Sequence, residues 1–270
     1  MAATSFIQVT LADLVRGARR AVAGWWGVLR LSALLLETAL APSAYGRENR
    51  HALARHIVGD AAPVLAGFTV LTTLVSLIVI RIVIVTALSY GLTQYALEMV
   101  ERVLVLELIP LTAALFAALR CTIPNAVEVA ALRVQRGWAL SSRNGLQGID
   151  PLRSEVLPRV ASGVFSALLL AAVSCAVTLV LAYLSVYGPV SSGLEAYTRT
   201  VGQVFNPAVS LIFGLKIVFL ALAVALVPMA AALDEAPRMG RRTSAEVQGL
   251  VRMFLLILLI EAASLVGNYY

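Results

Sequence analysis

The sequence predicts an all-α integral membrane protein, with an N-terminal interfacial helix followed by five transmembrane spans. Three observations lead there. Of 270 residues, 60% are hydrophobic and only 13% are charged, and the mean hydropathy is +0.89; soluble domains carry about a quarter charged residues. Five apolar stretches are each long enough to cross about 30 Å of hydrocarbon as helices. Arginine is concentrated in alternate connections between those stretches. Residues 1–60 read as interfacial helices and a polar connection, and residues 61–270 as one five-span membrane domain.

In residues 1–22, Phe6, Ile7, Leu11, Leu14, Val15, Ala18 and Val22 recur at spacings near three and four, with Arg16, Arg19 and Arg20 elsewhere. That pattern suits a helix lying in the membrane interface. No basic start leads into a short apolar core and small-residue cleavage site, so no cleavable signal peptide is expected. The stretch 24–42 is apolar, but Arg30 and Glu37 lie seven residues apart on one helix face, and Trp25 and Trp26 favour the interface. An elbow helix is favoured there over a full span. Residues 43–60 are polar and basic, hence a cytosolic connection, with His51 and His56 as surface residues.

The spans are expected at about 63–88, 103–123, 160–187, 207–233 and 247–267. Residues 89–102 and 188–203 become external connections, the second a Gly/Ser-rich loop. The three regions expected in the cytosol hold seven arginines (1–56), five (133–159) and three (238–242), against Arg102 and Arg199 outside. The positive-inside rule then puts the N-terminus in the cytosol and the C-terminus outside.

Arg81, Glu107, Arg120, Lys216 and Glu261 are ionisable residues in or near the spans. Each costs at least about 2.5 kcal/mol at mid-bilayer unless paired or wetted, which makes each a functional candidate. Arg120 and Glu261, near span ends, read first as snorkelling side chains. Arg81 and Glu107 could pair across neighbouring helices or line a polar cavity. Cys121 and Cys175 have no metal or disulfide spacing and read as small apolar residues. No Walker loop, Gly-x-Gly dinucleotide signal, histidine pair or carboxylate cluster is present, so no catalytic or metal-ligating residue is predicted.

The stretch LTAALFAALR (111–120), Glu128, Arg133, GIDPLR (148–153) and PR (158–159) resembles the MlaE-type permeases associated with MCE proteins. Arg120 to Glu128 is eight residues, Glu128 to Arg133 five, and Asp150 to Arg159 nine, as in that family. The resemblance implies the permease subunit of a bacterial lipid ABC transporter in the inner membrane. It further implies a cytosolic coupling helix between spans two and three, within about 128–153, docked on a separate ATPase that binds the ATP. A second permease copy would complete an outward-open lipid cavity, and a periplasmic MCE-domain protein would exchange lipid with it. Candidate coupling residues are then Arg120, Glu128, Arg133, Arg136, Trp138, Arg143, Asp150, Pro151, Arg153 and Arg159. Candidate cavity residues are Arg81, Glu107, Pro110, Lys216 and Glu261.

Two departures stand out. Where the family carries Arg-Glu-Leu-Gly-Pro, this chain has Leu106-Glu107-Leu108-Ile109-Pro110, and Arg81 is expected to supply the missing charge by pairing with Glu107. In the coupling segment, Arg136-Gly137-Trp138 replaces acidic residues, a reversal that would repel an ATPase groove built for the acidic version. Lipid transport is the leading reading. A non-transporting scaffold or regulatory half of a heterodimeric complex is the alternative, and a lipid-modifying enzyme lacks residues for the chemistry.

Overall fold

The computed structural model describes residues 25–35, 37, 47–92, 95–136, 152–234 and 242–269, which are almost wholly helical and contain no strand. In chain order the helices are α1 (Trp25–Leu35), α2 (Arg47–Ser89), α3 (Ala96–Arg136), α4 (Leu157–Tyr187), α5 (Leu194–Val204), α6 (Pro207–Asp234) and α7 (Arg242–Tyr269). Five segments are long and apolar enough to cross a membrane: Ala54–Ser89, Ala96–Arg136, Ser154–Tyr187, Pro207–Leu233 and Val247–Asn268. The chain is a multi-pass helical membrane protein. Its spans run alternately up and down, giving a basic end, with Arg133, Arg136 and Arg159, and a far end, with α5. The interfacial helix expected in residues 1–22 lies outside the described residues.

Several expected boundaries move. From Arg47 onward the expected polar connection 43–60 is already the start of α2. The second span begins at Ala96, so the connection expected over 89–102 is already helical from that residue onward. At its other end α3 continues past residue 123 to Arg136, because Ala126 and Val129 keep a buried stripe while Glu128 and Arg136 face outward. The loop expected over 188–203 holds α5, in which Tyr197, Val201 and Val204 fall on one inward face. Alternating polar residues hid that periodicity.

Local chemistry explains the breaks. Gly91 and Gly188 adopt φ of 69° and 74°, a region that disfavours side chains, and each lies just past the end of a span. Asn206 caps α6 by accepting from the Val209 N–H at 2.9 Å, with Pro207 at the first helical position. Three π-helical stretches, Glu101–Leu108, Ala118–Thr122 and Leu152–Val156, each end two residues before a proline, namely Pro110, Pro124 and Pro158. A proline removes the bond to the carbonyl four residues back and crowds it, and a wider turn relieves both effects. Pro63 and Pro228 sit inside α-helical sequence without such a stretch.

In lipid the helices hold together by close packing and interhelical hydrogen bonds rather than by expelling water. Ser76 and Thr178 share a bond of 2.9 Å between α2 and α4, and Ser174 reaches Thr72 at 3.5 Å on the same seam. Gly163 lets α4 close on α3: a Cβ there would stand 2.6 Å from Thr122 Cγ2. Gly249 does the same for α7 against Ala231 of α6, at 2.8 Å. Val28, Leu31 and Leu35 of α1 join the core near Val64 and Phe68, while Trp26, Arg30 and Glu37 are exposed.

Candidate functional site

Two polar assemblies stand out. The first lies towards the far half of the bundle. Lys216, on α6 nine residues from its start, is fully buried. Its ammonium donates to the Leu106 carbonyl at 3.0 Å, to Glu107 Oε2, and to Glu261 Oε1 at 2.8 Å. Pro110, four residues on, has no N–H to return to the Leu106 carbonyl. Lys216 thereby fills the vacancy that Pro110 creates. Asn268 Nδ2 donates to Glu107 Oε1 at 3.4 Å. The cluster thus ties α3, α6 and α7 through one cation and two carboxylates.

Glu107, Pro110, Lys216 and Glu261 are brought together, but Arg81 is not. It is exposed on α2, and Lys216 takes the Glu107 carboxylate that Arg81 was expected to pair with. A cation from the fourth span, already in register with Glu107, makes the first-span arginine unnecessary. Glu261 is likewise no snorkelling side chain: its exposure is 14%, and it turns inward to the ammonium. Charge must be matched where water is scarce.

The second assembly lies at the basic end. Arg159, 8% exposed, donates to Glu155 Oε2 at 2.7 Å and to the Glu155 carbonyl at 2.8 Å, and it lies 3.6 Å from Glu128. Arg136 pairs with Glu155 at 2.9 Å. Arg133 donates to the Ala232 carbonyl at 3.3 Å, one of the carbonyls left open at the end of α6. Glu128, Arg133, Arg136 and Arg159 therefore fasten the end of α3 to α4 and α6. Arg120 is exposed within the second π-helical stretch. Arg153 lies in the π turn leading into α4. Trp138, Arg143, Asp150 and Pro151 lie outside the described residues, as does the remainder of the expected coupling helix beyond Arg136.

Sequence reasoning missed two features. Asp60 accepts from Ser162 at 2.6 Å and from Asn125 at 2.8 Å, while Ser162 also donates to the His56 carbonyl. Asp60 thus knots three spans together, with Cys121 Sγ at 3.6 Å from its carbonyl. Its position in a polar stretch made it look like a connection residue. The other is Glu101, wholly buried, with both carboxyl oxygens lacking partners among the described residues. Nearby Tyr197 donates to the Leu179 carbonyl, and burial, with the neighbouring Glu101, holds its phenol above the usual range.

No curated protein matches the chain. A family model described as Permease MlaE matches residues 53–266, a region that takes in both polar assemblies except Asn268 and all five spans except the last two residues of the fifth, and the chain belongs to that family of transporter membrane subunits.

Proposed function

We propose that this chain is the membrane subunit of an ABC transporter that moves phospholipid or a related lipid between the membranes of a bacterial envelope. Lipid is held in the far half of the bundle, beside the Glu107–Lys216–Glu261 cluster. A separate ATPase binds ATP and docks on the segment about 128–153, and closure reaches the spans as a rigid-body shift. By the distribution of arginine, the basic end faces the cytosol and the C-terminus the periplasm of an inner-membrane protein. A second permease copy encloses the lipid path, and a periplasmic MCE-domain protein exchanges lipid at its mouth.

The observation that carries this reading is a charge cluster assembled from three spans inside an apolar bundle. Such groups are retained at depth where a polar cargo or pathway needs them. The Arg136–Glu155 pair bears on the coupling segment: Glu155 offsets the positive charge that was expected to repel an ATPase groove. The test is co-reconstitution of the full chain with its ATPase in proteoliposomes and measurement of ATP-dependent lipid transfer. Transfer that falls at least tenfold in Glu107→Gln supports the proposal. Undiminished transfer in that variant removes the cluster from the lipid path, and an ATPase that never co-purifies favours the scaffold reading.

A further inference from the structure

We propose that the cluster face made by Glu107, Glu261 and Asn268 recognises the ammonium group of an amine-bearing lipid headgroup, an inference that rests on the lipid-permease reading. An ammonium has three hydrogens to donate, and those of Lys216 meet three acceptors: the Leu106 carbonyl, Glu107 and Glu261. Its side chain has no exposed surface, whereas the Glu107 and Glu261 side chains are 15% and 14% exposed. The cation lies beneath and the carboxylates lie above it. An arriving headgroup meets the carboxylate side chains first, and no donor of Lys216 remains for a phosphate.

What is left unfilled has the same sign. Glu261 Oε2 and Asn268 Oδ1 are buried without a hydrogen-bond partner among the described residues, and both are acceptors. Between them on α7, three residues after Glu261 and four before Asn268, Ser264 is 5% exposed and its hydroxyl also has no partner among the described residues. Those spacings place all three on one helix face. Gly267 brings that face close to α6, where a Cβ would stand 3.4 Å from Ile212. With both carboxyls ionised, the cluster holds two carboxylates to one ammonium, a surplus of one negative charge. A second cation with N–H donors neutralises the surplus and fills the open acceptors. A primary ammonium does both, a quaternary ammonium supplies charge alone, and a polyol headgroup supplies donors alone.

The test equilibrates the purified full-length chain in micelles containing equal amounts of phosphatidylethanolamine, phosphatidylcholine and phosphatidylglycerol, and counts retained lipids by native mass spectrometry. Phosphatidylethanolamine is expected in excess over phosphatidylglycerol by about tenfold, the order that one charge-assisted hydrogen bond supplies, with phosphatidylcholine between them. Glu261→Gln keeps the shape and removes the surplus charge, and it should bring the three lipids to near equality. Asn268→Leu, at the helix end, removes an open acceptor and should narrow the preference independently. Retained phosphatidylglycerol that equals or exceeds phosphatidylethanolamine in the wild type overturns the ammonium site while leaving lipid binding intact. A preference unchanged in both variants also overturns it. Retention of no lipid at all contradicts the lipid-permease reading itself.

Discussion

Lys216 and Glu107 are 109 residues apart in the chain, which is why their pairing was not legible from sequence although each residue was singled out. Depth alone marks an intramembrane charge; only the register of α3 against α6 selects its partner, and here that register favours Lys216 over Arg81. Lys216→Met strands two carboxylates together, and the loss should be about 3–5 kcal/mol, the range for breaking a buried pair from one side. Thermal unfolding in detergent reads it. Adding Glu107→Gln should recover part of that loss, so the double variant is less destabilised than the sum of the singles. Arg81→Ala and Glu107→Ala should combine additively in transport, since the two side chains are not partners. Glu101 is the opposite case, a buried carboxyl with no partner among the described residues. Glu101→Leu should raise thermal stability, because an unpaired buried polar group costs about 1–3 kcal/mol. A lowered melting temperature would show that this carboxyl has an essential partner.

At the scale of elements, all five spans were legible, because long apolar runs carry a strong signal and lipid requires helices there. The ends were not. Polar residues on α2 and α3 beyond the apolar core were read as connections, whereas both helices continue on an amphipathic pattern. The resemblance singled out Glu128 and Arg159 from their spacing, and the fold supplies a reason for the pair: they stand 3.6 Å apart and close α3 onto α4. Arg159→Met should loosen that junction, seen as faster hydrogen exchange over residues 128–136 with little change in the far half. Helix contact is close at Gly163, facing a Thr122 whose hydroxyl is tied to the Ala118 carbonyl. Gly163→Val should therefore destabilise the bundle by about 1–3 kcal/mol, the usual range for overpacking, while Gly202→Ala on α5, with open space around it, should be near neutral.

For the whole molecule, the two polar assemblies sit towards opposite ends of one helical bundle, and α3 and α6 connect them. Motion imposed at Arg133, Arg136 and Arg159 can reach Lys216 through these helices, with Arg133 of α3 bonded to α6 at the Ala232 carbonyl. That division of labour was only half visible in the sequence. Composition and arginine placement made the membrane class and the basic end readable, but the cluster's three-span assembly and the Asp60 knot arise from contacts that no linear pattern encodes. The most direct measurement is photo-crosslinking of lipid in cells from a probe at residue 212, beside Gly267 and the cluster, with a second probe at the exposed residue 258 as a bilayer control. The expected result is a phospholipid adduct at 212 that disappears in Glu107→Gln while the adduct at 258 persists. An adduct at 212 that survives Glu107→Gln at full yield would contradict the placement of the lipid path at this cluster.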